Sequence, residues 1–429
     1  MRVAPSSRLC VPASAPLPLS PEADAASAPV PRIHRGTPEY RRTYLALFLA
    51  GFSTFALLYD VQPLLPVFSH AFKVEPATSS LSLSLSTGML AVMMLVAGSI
   101  SDAVGRKPVM SLSMVLSALL TLASVFATSF SQLLALRLAI GIALSGVPAI
   151  AMAYLSEEMD AQSLGAAMGL FIGGNAFGGL FGRLTASILA DFASWRWALG
   201  TVGMLGLVGG IAFWRCLPPS RHFTPRPLRL GVQLAALGQC FTTKGLPWLF
   251  LVSFLLMGSF VTMYNYIGYR LIAAPFHLSQ TATGLLFSVY LIGIFASAWM
   301  GRMADRMGRR KMLWAAVGLF LAGIELTRPQ SVPLIVLGVA VATFGFFGGH
   351  SIASSWIGRR AGEVKAQAAS LYLFFYYVGS SVVGSAGGIV WKSHGWEGVA
   401  LLLSILLALC LAAALRLSLL KPLPQTSIS

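Results

Sequence analysis

Long runs of apolar residues alternate with short polar turns from Thr43 almost to the end of the chain. The runs are about 20 residues long, which is the length that a helix needs to span a bilayer. This pattern predicts an all-α membrane protein with twelve transmembrane helices. The predicted helices cover residues 43–66, 78–100, 109–128, 132–154, 165–189 and 196–217, and then 247–271, 281–300, 312–327, 332–356, 366–391 and 396–417.

Polar segments divide the chain into five parts. Residues 1–42 are rich in Pro, Ala and Ser and predict a disordered N-terminal tail. Residues 43–217 predict a first six-helix bundle and residues 247–420 a second one. Between them, residues 218–246 predict a polar linker on the membrane surface, and residues 421–429 a short C-terminal tail.

Composition excludes a soluble domain. The 429 residues are 10% charged and 56% hydrophobic, whereas a soluble chain has about a quarter charged residues. The net charge of +16 would suit a nucleic-acid-binding protein, but the Lys and Arg residues lie between apolar runs instead of forming stripes on helices. We therefore expect no nucleic-acid partner. The Cys and His residues are scattered without metal-site spacing, so we also expect no metal ion.

The distribution of Lys and Arg predicts the orientation of the chain. Loops on the side of the two termini hold most of these residues, in a ratio of roughly four to one. The opposite side has Lys73, Arg196, Arg270, Arg328 and Lys392. Because positive residues stay in the cytoplasm, both termini are predicted to be cytoplasmic.

A short basic sequence occurs twice, once in each half of the chain. GSISDAVGRKPVM covers residues 98–110, and GRMADRMGRRKM covers residues 301–312. One constant offset pairs Gly98 with Gly301, Asp102 with Asp305, Gly105 with Gly308, and Arg106 with Arg309. Each copy lies between two apolar runs, so the sequence predicts a tight hairpin that is used once in each half of a duplicated transporter.

This hairpin resembles the signature between helices 2 and 3 of the major facilitator superfamily, and the chain is similar to that fold from about Thr43 to Leu420. The first copy has Ala103 where the family usually has a basic residue, whereas the second has Arg306. The resemblance implies a latch that holds the cytoplasmic side shut in one state. We expect Gly98 to permit close helix approach, Gly105 to permit the turn, and Asp102 to face the N-terminus of helix 11. The latch residues are Gly98, Asp102, Gly105, Arg106, Lys107, Gly301, Asp305, Arg306, Gly308 and Arg309.

Helix 5 contains a group of glycines. Gly174, Gly178 and Gly179 resemble the pattern that drug-proton antiporters of the superfamily have in this helix, although Asn175 replaces the usual proline. The resemblance implies efflux. The alternative is that these glycines only let two helix backbones pack closely.

Three charged residues lie inside the apolar runs of the first half. Each would cost at least about 2.5 kcal/mol at the bilayer centre unless it is paired or hydrated. Asp60, Arg137 and Arg183 are predicted at one depth, and the sequence from Arg137 to Gly141 resembles a motif that the superfamily uses for proton coupling. We expect Asp60 to titrate and the two arginines to modulate its proton affinity. The alternative is a static Asp–Arg pair that holds the helices together.

The second half lacks these charges and is aromatic instead. Asn265 is the repeat counterpart of Asp60, and the arginines have apolar counterparts. A wall of aromatic and polar groups suits a moderately apolar organic substrate. The alternative for each single ring is packing or lipid contact, and His350 can equally be structural or carry a second proton. The predicted cavity residues are Tyr264, Asn265, Tyr266, His350 and Tyr376.

Together these features predict a secondary transporter and not an enzyme, driven by the proton gradient without a cofactor. The segments 59–63, 154–158 and 354–360 resemble a bacterial branch termed arabinose-efflux-permease-like. From all these features we expect a monomeric protein in the lipid of the bacterial inner membrane that exports a small organic molecule. The alternatives are an importer or facilitator of the same fold, and a membrane sensor that transports nothing.

Overall fold

The computed structural model describes residues 32–225 and 230–420, and these residues form an all-helical structure. In chain order the helices are α1 (Pro38–Tyr59), α2 (Leu65–Phe72), α3 (Pro76–Val104), α4 (Arg106–Ser124), α5 (Phe130–Leu144), α6 (Pro148–Glu158), α7 (Ala161–Phe192), α8 (Trp195–Cys216), α9 (Leu230–Thr242), α10 (Leu246–Ile272), α11 (Gln280–Leu285), α12 (Tyr290–Met307), α13 (Arg309–Leu326), α14 (Val332–Arg360) and α15 (Lys365–Leu419). The predictions for residues 1–31, for the linker residues 226–229 and for the tail 421–429 lie outside the described residues.

Within the described part of the chain, nine helices are long and apolar enough to cross a membrane. α15 contains 55 residues, and its backbone is non-helical at Gly395, where φ is 57°. We predicted two helices here, 366–391 and 396–417, with a separate turn between them. The turn is instead a kink at one glycine, which adopts a positive φ without steric penalty.

The first helix differs from its predicted bounds at both ends. α1 begins at Pro38, upstream of Thr43, because Thr37 caps it by accepting a hydrogen bond from the Tyr40 amide at 3.2 Å. It ends at Tyr59 instead of residue 66, since Pro63 has no amide hydrogen with which to continue the helix. Asp60 is therefore the residue that follows the end of α1.

Three other boundaries also differ. Pro148 divides the predicted helix 132–154 into α5 and α6, because it has no amide hydrogen for the carbonyl of Leu144. A short 3-10 turn at residues 286–289 separates α11 from α12 inside the predicted helix 281–300. The predicted linker 218–246 contains α9, which composition alone did not suggest.

The two basic hairpins turn at single glycines, as predicted. Gly105 joins α3 to α4 with φ at 111°, and Gly308 joins α12 to α13 with φ at 93°. Residues with a side chain rarely adopt these angles, so the backbone of the turn requires a glycine at this position in both copies of the repeat.

Helices of residues 33–217, the first half, pack mainly on one another, and so do those of residues 246–420, the second half. α1 packs on α7 and α8, and α10 packs on α15 in the corresponding way. Contacts between the halves include α3 with α15 and α7 with α11. Hydrogen bonds between the halves join Gln62 to Asn265, Ser69 to Tyr269 and Gln280 to the Pro63 carbonyl. We call the end of the helices with these contacts the seam end, and the end with Gly105 and Gly308 the hairpin end.

Candidate functional site

Asp60 and Arg137 form an ion pair inside the first half. Arg137 Nη1 lies 3.1 Å from Asp60 Oδ1, and both residues have 0% exposure. The second carboxylate oxygen, Oδ2, has no hydrogen-bond partner among the described residues. The structure therefore brings together two of the three charges predicted to share one layer, and leaves one buried oxygen with capacity to bind a proton.

The position of Arg137 follows from the way α1 ends. The last carbonyls of a helix have no partner in the helix itself. Arg137 donates to the carbonyls of Leu57 (Nη1, 3.0 Å) and Leu58 (Nη2, 2.7 Å), and its Nε donates to Ser82 on α3 at 3.0 Å. The guanidinium consequently connects α1, α3 and α5, and this role does not depend on Asp60 alone.

Arg183 lies on α7 and does not join this ion pair. Its Nε donates to Gln62 Oε1 and its Nη1 to the Gly179 carbonyl, both at 2.7 Å. Gln62 in turn donates to Asn265 Oδ1 at 2.9 Å. Arg183 is thus connected to the second half through Gln62, a residue that lay in one of the quoted segments but was not singled out.

Aromatic rings surround Arg183 from both halves. Its guanidinium carbon lies 4.2 Å from the ring centre of Tyr59, 4.7 Å from that of Tyr290 and 5.3 Å from that of Phe287. Such distances are typical of cation–π interactions. Tyr290 and Phe287 were missed by the sequence reasoning, because nothing in a long apolar run marks which of its rings face a charge.

The predicted cavity residues divide into two groups. Tyr264 and Tyr266 are fully buried and bond to Thr343 Oγ1 and the Gly384 carbonyl, so in this conformation both hydroxyls face neighbouring helices. His350 and Tyr376 are half-buried, with ring centres 4.9 Å apart, and Tyr372 hydrogen-bonds to His350 Nδ1 at 3.0 Å. Half-buried Tyr290 and Phe347 extend the same aromatic surface.

A small cavity lies at the seam end between the halves. Its volume is about 10 Å³, which is space for about one water molecule, and Gln62, Pro63, Asn265 and Phe287 contribute to its wall. Asn265 Nδ2 is buried near this cavity wall without a hydrogen-bond partner in the described residues. The seam end is therefore almost filled.

The glycines predicted in helix 5 lie on α7, and two of them let α7 pack closely against another helix, which was the alternative to an antiporter motif. A Cβ atom at Gly174 would lie 2.6 Å from the Phe48 carbonyl oxygen, and one at Gly178 would lie 2.1 Å from that of Phe52. These two glycines let α7 contact the backbone of α1. Gly179 differs, because its Cβ would lie 3.0 Å from Arg183 Nη1.

The first hairpin is held by ion pairs within its own half. Arg106 lies 2.6 Å from Asp102 and 2.6 Å from Glu157, and Lys107 donates to the Leu217 carbonyl. Glu157 was not predicted as a partner. The close helix approach expected at Gly98 is absent in this conformation, since no described atom lies within 4 Å of a Cβ built there.

The second hairpin is more exposed. Asp305 pairs with Arg309 at 2.5 Å but keeps 61% of its side chain exposed, and Arg309 also contacts Ser355. Arg306 is exposed, and at Gly301 a Cβ would have ordinary contact with Ser351 Oγ at 3.6 Å. In the first hairpin Arg106 is buried between two carboxylates, whereas in the second hairpin Arg309 pairs with one carboxylate.

Comparison with known proteins gives three findings. Residues 43–269 and 249–428 match the family model of the Major Facilitator Superfamily. The chain is 49% identical over 379 residues to the uncharacterized MFS-type transporter YybF of Bacillus subtilis (88% of this chain, 94% of the relative), and 47% identical over 391 residues to the inner membrane transport protein YnfM of Escherichia coli (91% and 94%). Its fold is similar to that of the nucleoside transporter NupG, with a TM-score of 0.74 at 17% identity over 87% of this chain and 99% of the other.

Proposed function

Because the chain belongs to the Major Facilitator Superfamily, we propose that it couples the export of a small organic compound to the movement of protons. Its relatives are membrane transporters and not enzymes, and one is a protein of the bacterial inner membrane. The observation on which the proton coupling rests is the buried pair of Asp60 and Arg137 with its one bare oxygen.

Twelve spans in two six-helix bundles are the arrangement that we propose. The nine long apolar helices support it, and the kink at Gly395 lets α15 cross twice. The consecutive helices α5 and α6 together, and the basic-ended α13, supply the remaining crossings. Both termini are then on the same side of the membrane as the hairpin end. The distribution of Lys and Arg indicates that this side is cytoplasmic.

The contacts between the halves support alternating access. The hydrogen bonds of Gln62 and Ser69 join the halves at the seam end, and those of Ser84 and Thr87 continue this contact along α3 and α15. The ion pairs of Arg106 and Arg309 stay inside their own halves. We infer that the structure is an inward-open state. Its two halves are in contact at the seam end, on the outer side of the membrane, and are separated at the hairpin end, on the cytoplasmic side. A transporter needs a second state in which these contacts exchange.

Proton binding at Asp60 would change the charge of the buried layer. While Asp60 is ionised, its charge balances that of Arg137. When Asp60 binds a proton, Arg137 remains in place on the three backbone carbonyls, but its charge is no longer compensated. An uncompensated charge favours the state in which water reaches it, so protonation and the opening of the layer are linked.

Direction is the part of the proposal that rests on resemblance. The glycine pattern of α7 is similar to that of drug-proton antiporters, which favours export, although Gly174 and Gly178 also serve packing. A variant with a neutral side chain at residue 60 tests whether transport is coupled to protons or is facilitated diffusion. This test does not depend on the direction of transport.

Asp60→Asn tests the coupling in inverted membrane vesicles. A panel of radiolabelled organic compounds is first screened for flux that an uncoupler abolishes, and the transported compound is then used for the variants. We expect Asp60→Asn to lose gradient-driven accumulation by about tenfold or more while keeping counterflow without a gradient. Glu397→Gln, which neutralises an exposed carboxylate, is the matched control and should behave like the unmodified protein.

Two outcomes would contradict the proposal. Undiminished gradient-driven flux in Asp60→Asn would remove Asp60 from the coupling. Flux in the unmodified protein that does not respond to the uncoupler would instead make the chain a facilitator.

A further inference from the structure

Arg183 is a buried cation that forms no ion pair with any of the described residues. Its exposure is 3%, and no carboxylate of the described residues lies within ion-pairing distance of it. Nε and Nη1 each donate one hydrogen bond, whereas Nη2 has no acceptor in the described part of the chain. Inside a membrane protein, such a residue marks a place where a charge is needed for function.

Other buried arginines have their donors engaged differently. Arg137 pairs with Asp60 and binds three carbonyls, and Arg106 pairs with two carboxylates. Arg270 donates to the carbonyls of residues 327–329, which follow the end of α13. These arginines cap helix ends or neutralise acids. Arg183 does neither, since its one carbonyl partner, Gly179, is an interior residue of its own helix.

The aromatic rings around Arg183 hold the guanidinium without neutralising it. Tyr59 belongs to the first half, and Phe287 and Tyr290 to the second, so the cation lies where the two halves meet. A group bound to it would contact both halves. An alternating-access transporter requires this of its substrate, because binding must be sensitive to the relative position of the halves.

From Tyr290 the aromatic surface continues away from the cation. The ring centre of Phe347 lies 5.9 Å from that of Tyr290, and Phe346 connects Phe347 (5.2 Å) to His350 (6.0 Å). Tyr290, Phe347 and His350 each keep part of their surface exposed. A planar apolar ring can stack on it while a charged group reaches Arg183.

We propose that Arg183 binds the anionic group of the substrate, and that the substrate is an aromatic carboxylate whose ring packs on the rings of the second half. The proposal rests on the transporter function in placing the substrate between the halves. A carboxylate supplies the missing negative charge and an acceptor for Nη2, and its geometry matches the guanidinium fork. This narrows the moderately apolar organic molecule expected from the sequence to an anion.

Matched acid and amide pairs test the charge requirement on the unmodified protein. Purified protein in detergent and a low-salt zwitterionic buffer, free of chloride and of added carboxylates, is titrated with benzoate, naphthoate and indoleacetate, with their amides, and with sulfate. The shift in thermal unfolding temperature reports binding. We expect at least one carboxylate to bind about tenfold or more tightly than its amide. Absence of binding by every carboxylate, equal binding by the amides, or equally tight binding of sulfate would each overturn the proposal.

Variants of Arg183 test the residue itself. In Arg183→Gln the preference for the carboxylate over its amide should disappear, while the affinity for the amide changes less than about threefold. Arg183→Lys keeps the charge but not the planar fork, so it should retain part of the preference. Arg302→Gln removes an exposed cation and should change nothing. If Arg183→Gln does not fold, the acid and amide pairs still decide the question.

These measurements need no gradient, so they can fail separately from the transport experiment. Asp60→Asn should keep the carboxylate preference. In the unmodified protein, a carboxylate preference together with flux that an uncoupler does not change would support the anion site and reject proton coupling, whereas coupled transport of amides and acids alike would do the reverse.

Discussion

The two halves of the chain repeat their packing but differ in chemistry at the level of Asp60. In the first half this level holds the ion pair of Asp60 and Arg137, together with Arg183, which has no ion-pair partner among the described residues. The counterparts in the second half are neutral: Asn265 for Asp60, Ala340 for Arg137 and Gly388 for Arg183. Gly388 is also a packing residue, since its Cβ would lie 2.4 Å from Ala77 Cα on α3.

The difference shows that two halves with the same helix packing carry different functional groups. At the position where α7 presents a cation, α15 has a glycine that lets it contact the other half. The first half therefore holds the charges, whereas the second supplies the seam and the aromatic surface. Substitutions in each half can distinguish the packing that the two halves share from the charges that only the first half has.

The largest effect is expected when the charged layer loses Arg137. Arg137→Gln leaves Asp60 as an unpaired buried carboxylate and removes the cap from the end of α1. Removing one partner of a buried pair costs about 3–5 kcal/mol, so we expect the unfolding temperature in detergent to fall by about 10 °C. Thermal unfolding followed by circular dichroism measures it.

A double variant separates charge from packing. Asp60→Asn together with Arg137→Gln removes both charges and should recover part of the lost stability. If the double variant is less stable than Arg137→Gln, the loss comes from the capped carbonyls and not from the ion pair.

The second effect should be equal in the two halves. Gly174→Ala brings a Cβ to 2.6 Å from the Phe48 oxygen, and Gly379→Ala brings one to 2.2 Å from the Phe254 oxygen. Overpacking typically costs about 1–3 kcal/mol, so both variants should unfold at lower temperature by similar amounts. Gly173→Ala and Gly358→Ala are the controls, because neither Cβ meets an atom within 4 Å. A loss in only one half would contradict the repeated packing.

The sequence predicted most of what depends on length and spacing. The apolar runs located the helices, and the repeated glycines located both hairpin turns, since a positive φ leaves a sequence signal. The end of α1 was predicted at residue 66, whereas the helix ends at Tyr59, before Pro63. The prediction that Asp60 and Arg137 lie at one depth agrees with the structure, where the two side chains form an ion pair at 3.1 Å.

The sequence did not predict which side chains face each other. Those contacts depend on how each helix is oriented about its own axis. Tyr266 and Tyr376 look equivalent in the sequence, but one bonds to a neighbouring helix and the other is half-buried beside His350. Glu157 was likewise invisible as the partner of Arg106, since the two lie on different helices. In an apolar helix every face is apolar, so periodicity does not show which face meets the cavity.

The smallest expected effect compares the two hairpins, and it depends on how the facing helices are capped. α15 follows Val364, whose side chain accepts no hydrogen bond, so its N-terminus can receive Asp102 when the hairpin end closes. α7 is already capped by Asp160, which accepts from the Ser163 amide at 2.8 Å, and hydrogen bonding by Ser163 lowers the pKa of Asp160. Asp160 is therefore an anion at neutral pH, and Asp305 would approach a helix end that is occupied.

We accordingly expect Asp102→Asn to slow transport more than Asp305→Asn. A carboxylate at a helix N-terminus contributes about 0.3–2 kcal/mol, so losing Asp102 should shift the balance between the two states by about two- to thirtyfold, whereas Asp305→Asn should change it less than about twofold. Initial rates in vesicles, at matched protein levels, measure both variants. Equal slowing by the two variants would mean that the hairpins act alike, and that the difference between the halves is confined to the charged layer around Asp60.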